Sequence, residues 1–371
     1  MAAQVAAGDE IIVVTGAAGF LGAKVVELLN TKGPNIMEIR GFDICPQKPP
    51  CFLPSYDPYG KVMLRYSQGD VRNYEEVKAV CKGATVVIHT AALIEVSPTS
   101  ETGMWAVNVK GTENIIKACI ECNVAKLVYS STADVLLGWS ENYNLNESTP
   151  APGDKVSDYL FGQYAFTKMQ AEKRVLSANG SKLANGGRLV TCSLRMLVMY
   201  GERDTVFIPN VINSAKSQLG YLPRMGNRDA IFNLCYVGNA AWAHVLATEV
   251  MHSKPNVIAG KAFCIGDHTP NKNFFDFLEP YLEATGCTLL NISIPYSIIV
   301  FFAFILELVA WILRPFGKIS VSFTRSSIYC VCKGMTINWN KAKKELGYAP
   351  IYSYEESKNN TVRYLVKRFV A

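Results

Sequence analysis

The sequence predicts an α/β protein built on a doubly wound parallel sheet, with a smaller C-terminal substrate domain. Short β-branched runs alternate with helix-like stretches, and no internal repeat recurs. Such alternation is typical of a parallel sheet with helices on both faces. The first run also breaks into a turn of regularly spaced glycines before its helix. We predict that residues 1–204 form the sheet domain and residues 205–371 mainly the substrate domain, with residues 236–264 returning to the sheet.

Composition narrows the class of protein. The 371 residues carry a net charge of +6 with dispersed Lys and Arg, which argues against a dedicated nucleic-acid binder. The 11 cysteines are scattered and mostly lie in apolar runs, as buried thiols do in a reducing compartment. Cys119 and Cys122 form a C-x-x-C with no second pair nearby, so no metal site is expected. The first ten residues contain two acids and lead directly into a strand, so we expect no signal peptide.

The first motif is I-I-V-V-T-G-A-A-G-F-L-G at residues 11–22. It predicts a buried strand, a tight turn and the start of a helix. Gly16 would make the turn, Gly19 would let a pyrophosphate approach the backbone, and Gly22 would let the helix pack closely. The helix N-terminus would supply amide donors to the phosphates. The predicted cofactor-binding residues of this turn are Gly16, Gly19, Phe20, Leu21 and Gly22.

Acidic residues are predicted to follow the next two strands. The apolar run at 36–42 ends at Asp43, where an acid would bind a ribose hydroxyl and repel a 2′-phosphate, which favours NAD over NADP. The alternative is an acid that merely ends a strand. After a third strand, Asp70 would lie at the adenine ring with Val71 beside it. The fourth strand leads into H-T-A-A-L, a small-residue turn in which a dinucleotide can lie against Ala91.

Polar side chains also mark the following elements. Residues 44–60 contain five prolines and predict a surface loop. A long helix over 105–121 carries Asn108, and the next strand closes with Ser131 and Thr132. In parallel sheets ligands bind at the carboxyl ends of the strands. The sequence therefore predicts a single site along that edge.

A helix beginning near Tyr164 carries Y-A-F-T-K. Tyr164 and Lys168 are four residues apart and so lie on one helix face. A tyrosine that acts as a base near neutral pH needs its pKa lowered by about 3 units, or ~4 kcal/mol, and a neighbouring ammonium or nicotinium charge favours the phenolate. Taken alone, such a pair is usually an exposed helix face. The prediction depends on its combination with the earlier motifs.

In this order, T-G-A-A-G-F-L-G, N-V-K-G-T, Y-S-S-T-A-D-V and Y-A-F-T-K resemble the extended short-chain dehydrogenases/reductases, which have a Rossmann core. Within that superfamily the chain resembles the 3β-hydroxysteroid dehydrogenase/Δ5-Δ4 isomerase family. This second resemblance is carried by V-L-S-A-N-G at 175–180, Y-V-G-N-A-A-W-A-H at 236–244 and an apolar segment ending in L-R-P. It implies NAD-dependent oxidation of a steroid or sterol 3β-hydroxyl without a metal.

The resemblance also implies residue roles. Tyr164 would be the general base, and Lys168 would bind the nicotinamide ribose and lower the tyrosine pKa. Thr132, with Ser131 beside it, would donate a hydrogen bond to the substrate oxygen. Asn108 would be a water-bridging or structural residue. Dimers are common in the superfamily, through helices that include the one bearing Tyr164.

Two departures from the family pattern leave alternatives open. Met196 replaces the usual proline of the segment after the catalytic helix. The family attributes isomerisation to a Tyr and an Asp near D-x-T-P; here Asp267 is kept but Phe263 stands at the tyrosine position. A phenyl ring cannot donate a proton, so isomerisation is open. His268 either substitutes for the tyrosine or is an ordinary loop histidine.

Other functions therefore compete with 3β-hydroxysteroid oxidation. Among enzymes they are a decarboxylating sterol-4-carboxylate 3-dehydrogenase and another lipid-alcohol dehydrogenase. Nucleotide-sugar epimerases share the catalytic set but give no reason for the apolar segment. A non-catalytic NAD-binding membrane scaffold is the alternative from a different class. The retained Tyr164, Lys168 and hydroxyl pair argue against it, because a scaffold has no need to keep all three.

Residues 292–313 form an apolar stretch about as long as a bilayer core requires, with one interior acid, Glu307,. Trp311 and Arg314 would suit a membrane interface. We consider a helix lying in one leaflet, a spanning helix and a buried helix of the substrate domain. The dehydrogenase motifs continue after the segment, and Glu307 would be costly at mid-bilayer, so the first is favoured. The resemblance implies an endoplasmic reticulum membrane, and sometimes a mitochondrial one, with the enzyme body facing the cytosol.

Overall fold

The computed structural model describes residues 10–47, 62–94, 101–313 and 324–370. Most of the predicted loop 44–60 therefore lies outside the described residues. The strands are β1 (Glu10–Thr15), β2 (Ile36–Asp43), β3 (Met63–Gln68), β4 (Val86–His89), β5 (Lys126–Thr132), β6 (Val190–Met196), β7 (Met199–Tyr200), β8 (Tyr221–Met225), β9 (Cys235–Tyr236), β10 (Lys261–Ile265) and β11 (Thr288–Ile294). Seven of them form one sheet in the order β3-β2-β1-β4-β5-β6-β10, and every pairing is parallel.

Helices connect the strands and cover both faces of this sheet. They are α1 (Phe20–Lys32), α2 (Tyr74–Cys81), α3 (Glu101–Trp105), α4 (Thr112–Glu121), α5 (Gly162–Ser177), α6 (Phe207–Ser217), α7 (Val237–Ser253), α8 (Pro255–Ile258), α9 (Phe274–Ala284), α10 (Tyr296–Leu313), α11 (Arg325–Lys333) and α12 (Tyr354–Phe369). A π-helical segment, Ala106–Gly111, joins α3 to α4, and a short 3-10 turn, Ala133–Leu136, follows β5.

Successive residues of the first strand enter two different cores. Ile12 and Val14 pack in a cluster with α1 and α7, whereas Val13 packs with α2, α4 and α5. This follows from the strand geometry, because neighbouring side chains point to opposite faces. The predicted doubly wound sheet is confirmed, and residues 237–265 contribute α7 and β10 to it.

The remaining elements pack beside this sheet. β8 and β11 pair with each other, as do β7 and β9. α10 packs on α11 through a small cluster of Ala303, Ile328 and Cys332. α11 in turn contacts the loop after β5, because the Tyr329 hydroxyl donates to the carbonyls of Trp139 and Ser140, both at 3.1 Å.

The apolar segment at 292–313 forms the end of β11 and the whole of α10. Among the described residues, no helix is long and apolar enough to cross a membrane. Glu307 is ion-paired with Arg325, with 2.6 Å between Oε2 and Nε, and its other oxygen accepts the Arg325 backbone N–H at 2.8 Å. The predicted interface residue Arg314 and the side chain of Trp311 lie outside the described part of the chain.

Candidate active site

The glycine turn after β1 brings three backbone segments into close contact. Gly16 has a φ of 70°, and a Cβ there would lie 2.7 Å from the Ala91 nitrogen at the end of β4. A Cβ on Gly22 would lie 2.1 Å from the Gly16 carbonyl oxygen. Gly19 is the N-cap residue of α1, and a Cβ there would lie 3.1 Å from the same oxygen. The turn therefore forms a cradle in which three glycines leave the backbone uncovered, which fits a dinucleotide pyrophosphate.

Asp43 and the start of α1 complete this cradle. The Asp43 carboxylate accepts the Ala18 backbone N–H at 2.9 Å and the Cys45 N–H at 2.9 Å. It thus braces the glycine turn from the end of β2, beside the predicted ribose position. Phe20 and Leu21 are the first residues of α1, where backbone N–H groups have no partner within the helix and attract phosphate.

The predicted adenine side of the cradle lies at the ends of β3 and β4. Asp70 pairs with Arg72, with 2.5 Å from Nη2 to Oδ2, and this guanidinium holds the pKa of the Asp70 carboxyl below its usual value. Val71 is buried against Gly111, where a Cβ would lie 2.7 Å from a Val71 methyl carbon. The backbone N–H of Ala91 donates to the Thr15 hydroxyl at 3.3 Å.

Asn108 lies in the π-helical segment, a departure from the continuous helix that was predicted. Its Oδ1 accepts the Leu93 N–H at 2.7 Å, and its Nδ2 donates to the Leu93 carbonyl and the Thr167 hydroxyl, both at 3.1 Å. π-helical insertions often occur at functional sites. The geometry favours the structural role for Asn108, because these bonds tie the loop after β4 to α5, next to Lys168.

Lys168 is buried beneath the end of β5. Its Nζ donates to the Ser130 carbonyl at 2.6 Å and lies 4.3 Å from the centroid of the Tyr129 ring. Burial lowers the pKa of Lys168 to about 7, although the Glu172 carboxylate one turn further along α5 opposes this change. Glu172 is itself paired with Arg195 at 2.6 Å.

Tyr164 stands half-buried in the first turn of α5, beside the end of β5. Burial and the nearby Asp134 raise its pKa above the usual value, while a hydrogen bond with the Thr132 side chain lowers it. The Lys168 ammonium binds the Ser130 carbonyl in this structure, and the lowering of the tyrosine pKa by Lys168 and a nicotinium charge stays a prediction.

Asp134 is a site residue that the sequence analysis missed. It lies two residues after Thr132, and its backbone N–H donates to the Thr132 hydroxyl at 3.2 Å. Burial raises the pKa of Asp134 to about 6, although the Thr132 side chain opposes the rise. Ser131, which precedes Thr132 in β5, is buried, and its hydroxyl has no hydrogen-bond partner among the described residues. The only signal in the sequence is an acid two residues after the hydroxyl that ends the strand.

Asp267 and Phe263 stand at the two positions to which the family attributes isomerisation, and both are held within the fold. The Asp267 carboxylate accepts hydrogen bonds from the Tyr236 N–H and the Asn239 amide, both at 2.9 Å, and from the Thr269 N–H at 2.9 Å. Phe263 is fully buried in β10. Asp267 therefore joins β9 and α7 to the following loop, and its lone pairs are largely occupied.

The other residues singled out from the sequence lie outside this group. His268 is exposed, with its ring 5.9 Å from that of Trp339. Met196 ends β6 and is buried beside Thr132 in the strand register. Cys119 is buried in α4 and Cys122 follows that helix. Within the described residues, no cluster of three His, Cys, Asp or Glu side chains could hold a metal ion.

Solved structures share this fold. The protein described as gox2253 is 23% identical, with a TM-score of 0.70, and the match covers 97% of this chain and 99% of that chain. A dTDP-glucose 4,6-dehydratase from Streptomyces venezuelae, a double mutant with NAD and DAU bound, is 19% identical, with a TM-score of 0.68 and coverages of 95% and 96%. A UDP-galactose 4-epimerase is 19% identical, with a TM-score of 0.67 and coverages of 96% and 99%.

The cradle and the tyrosine–lysine helix on this sheet fit an NAD-dependent oxidoreductase or epimerase of the extended short-chain dehydrogenase type. The model of the 3-beta hydroxysteroid dehydrogenase/isomerase family matches residues 13–296. That range is more than half of the chain, and the protein belongs to this family.

Proposed function

We propose that the protein oxidises the 3β-hydroxyl of a steroid or sterol to the ketone, with NAD as the hydride acceptor. The observation that carries this proposal is the grouping of Tyr164, Thr132 and Lys168 at the end of β5, on the same sheet edge as the glycine cradle. Membership of the 3-beta hydroxysteroid dehydrogenase/isomerase family supports the choice of a sterol alcohol.

Each residue has a role that follows from its position. The cradle at Gly16 and Gly22, braced by Asp43, would hold NAD, which when bound supplies the hydride acceptor. The Thr132 hydroxyl would hold the substrate oxygen, and Tyr164 would accept the substrate proton as the C–H bond breaks. Lys168, fixed against the Ser130 carbonyl, would orient the ribose end of the cofactor.

The test is NADH formation by detergent-solubilised protein with pregnenolone, followed together with the absorbance of a conjugated enone. NADH without the enone would indicate a dehydrogenase alone, as the structural role of Asp267 leads us to expect. Absence of NADH with every 3β-hydroxysterol tested would refute the proposal. UDP-glucose is a suitable comparison substrate, because a solved structural neighbour is described as bound to it and NAD.

The variant Tyr164→Phe separates catalysis from binding. The phenol oxygen is lost while the ring is kept, so we expect NAD binding to stay unchanged and turnover to fall by a factor on the order of 100 or more. A biological output that survives this substitution would instead support the NAD-binding scaffold. A 4-carboxysterol substrate would be recognised by release of carbon dioxide along with NADH.

We also propose that α10 rests on a membrane surface, such as that of the endoplasmic reticulum, from which a sterol would be taken. One side of α10 packs on α11 through Ala303. The apolar face of α10, defined by its exposed large side chains, comprises Ile298, Phe301, Phe302, Phe304, Ile305, Leu306, Leu308, Val309, Ile312 and Leu313. An apolar surface of this extent is typical of membrane or protein interaction sites.

A further inference from the structure

The imidazole of His89 lies at the end of β4, directly before the turn that contains Ala91. It is fully buried, and each of its two ring nitrogens has a hydroxyl partner. Nδ1 lies 2.7 Å from Oγ1 of Thr15 in β1, and Nε2 lies 3.0 Å from Oγ1 of Thr112 in α4. The ring therefore joins the strand that precedes the glycine turn to the helix that follows the π-helical segment.

The partners of these two hydroxyls fix the tautomer of the ring. The Thr112 hydroxyl donates its one proton to the Asn108 carbonyl at 2.6 Å, so it can only accept from His89. Nε2 must therefore carry the ring proton, and Nδ1 must accept the proton of the Thr15 hydroxyl. The Thr15 oxygen in turn accepts the Ala91 N–H at 3.3 Å. These hydrogen bonds all run in one direction, from the backbone of Ala91 to that of Asn108.

The two ends of this series hold the turn after β4 at two points. At one end, the hydroxyl on β1 fixes the nitrogen of Ala91, which would lie 2.7 Å from a Cβ on Gly16. At the other end, the Asn108 side chain binds the N–H of Leu93 at 2.7 Å and its carbonyl at 3.1 Å. His89 joins these two anchors, and the turn between them forms the side of the cradle that touches Gly16.

The acceptor on Nδ1 is the part of the ring that matters most for the cradle. Without it, the Thr15 hydroxyl would have no acceptor for its proton inside the protein, and its oxygen would no longer be oriented towards Ala91. The series begins and ends on backbone amides, which do not ionise near neutral pH. It therefore orients groups and does not conduct protons.

We propose that His89 is a positioning residue of the NAD site. As the neutral Nε2–H tautomer, it orients the Thr15 hydroxyl and thereby fixes Ala91 against the glycine turn. The proposal rests on NAD as the cofactor of the proposed function, and it does not depend on which alcohol is oxidised.

The first experiment is a fluorescence titration of the full-length protein with NAD. His89→Leu removes both polar contacts and should raise the Kd of NAD about ten-fold or more. His89→Asn places a carbonyl oxygen at the position of Nδ1, where it can accept from Thr15, and should stay within about three-fold of the wild type. His89→Gln reaches the position of Nε2 instead and keeps only the Thr112 contact. It should therefore resemble His89→Leu.

The matched control is His244 in α7, the other fully buried histidine. His244→Leu removes an imidazole outside the cradle and should leave the Kd of NAD unchanged. Its Nδ1 lies 2.8 Å from the Ala240 carbonyl, which can only accept, so this ring must be the Nδ1–H tautomer. Spectra of protein with ¹⁵N-labelled histidine at neutral pH should therefore show opposite neutral tautomers for the two rings. The Nε2–H signal should be the one that His89→Asn removes.

Kinetics give a readout that a general loss of structure would not. The bond from Asn108 to the Thr167 hydroxyl, at 3.1 Å next to Lys168, does not pass through the ring. With any alcohol that supports NADH formation, His89→Leu should therefore raise the KM of NAD while kcat at saturating NAD changes by less than about three-fold.

The outcomes are distinct. Wild-type NAD affinity in His89→Leu overturns the proposal. Equal losses in the Leu, Asn and Gln variants also overturn it, because packing and not the Thr15 hydrogen bond would then set the affinity. An Nδ1–H or doubly protonated His89 ring in the wild type overturns the assigned tautomer and the orientation of Thr15 with it. If His89→Leu does not fold, the comparison of Asn with Gln and the wild-type spectra still decide.

Failure of this inference is distinguishable from failure of the proposed function. A wild type that binds NAD but oxidises no sterol refutes the proposed oxidation, and the affinities of the His89 variants still test the positioning role. A wild type that does not bind NAD overturns both.

Discussion

The cofactor cradle and the α10–α11 hairpin, formed by the two helices that pack on each other, depend on the sequence in opposite ways. In the cradle, backbone atoms approach so closely that single Cβ atoms on Gly16 or Gly22 would lie within 3 Å of neighbouring backbone. In the hairpin, α10 exposes a broad apolar face, and one ion pair joins Glu307 to Arg325. The cradle therefore depends on particular residues at particular positions, whereas the hairpin depends on average composition and should tolerate apolar exchanges.

The largest expected effect is at the cradle. Gly22→Ala would place a methyl group 2.1 Å from the Gly16 carbonyl oxygen, so α1 must move away from the turn. We expect loss of measurable NAD binding in a fluorescence titration and destabilisation of about 1–3 kcal/mol or more.

The control for this prediction is Gly83→Ala, before β4. Gly83 has a φ of 72°, but an added Cβ meets nothing within 4 Å. Only backbone strain of about 1–2 kcal/mol should result, with NAD affinity retained. If Gly22→Ala bound NAD normally, the close approach would not be what specifies the cradle.

Acidification should destabilise the sheet before it destabilises the hairpin, because residues 296–333 contain no histidine. Burial lowers the pKa of His89 to about 3 and that of His244 to about 4, and the Lys168 charge adds to both decreases. Below pH 6.5 the unfolded chain therefore binds protons that the native state does not, and stability falls as the pH falls. Between pH 6.5 and 5.5 the two groups should remove about 2 kcal/mol of unfolding free energy.

Denaturant unfolding over this pH range measures the effect. His244→Leu should flatten the pH dependence by about half, since one of the two buried imidazoles is removed. His268→Gln, which alters an exposed histidine, should leave it unchanged. A wild-type stability that stays constant between pH 6.5 and 5.5 would contradict the prediction.

A smaller and more selective effect is expected on α10. Phe301 and Leu306 are 60% and 50% exposed, so replacing both with Asp should hardly change the fold. Vesicle binding should weaken at least ten-fold, since each large apolar side chain contributes about 1.5–3 kcal/mol on full burial. Co-flotation with phosphatidylcholine and phosphatidylserine vesicles measures this. Leu219→Asp, at an apolar residue that is 91% exposed after α6, is the matched control, and equal losses in the two variants would argue against an α10-specific surface.

The smallest expected effect is at the hairpin ion pair. Arg325 is half-exposed, so Arg325→Gln should cost under about 1 kcal/mol, seen as a small shift in Tm. Lys358→Gln, which removes an exposed pair within α12, should give a similar value. A markedly larger cost for Arg325→Gln would show that polar contacts, and not apolar packing, hold the hairpin together.

Sequence patterns predicted the strands, turns and helices that depend on neighbouring residues. The strand, turn and helix around Gly16 follow from glycine spacing, and Asp43 ends β2 as expected. Three-dimensional relations were not predictable in this way. Lys168 binds the Ser130 carbonyl, 38 residues earlier in the chain, and no spacing rule connects them. Asp134 escaped notice because an acid after a strand is common, and only the folded chain brings it near Tyr164.

Asp267 shows the opposite error. Its sequence context indicates chemistry, whereas its bonds to Tyr236, Asn239 and Thr269 indicate architecture. A sequence motif indicates that a residue matters. The hydrogen-bond partners of that residue show whether its role is chemical or structural. The number of hydrogen bonds that a carboxylate already accepts, three for Asp267, is known only from the folded structure.

The contact between Tyr329 and the carbonyls of Trp139 and Ser140 matters for making crystals or soluble enzyme. It means that the two halves of the hairpin are not equally dispensable. A truncation that removes α11 would leave those carbonyls, on the loop after β5, without this donor. Protein engineering for solubility should therefore shorten or recode α10 and retain α11.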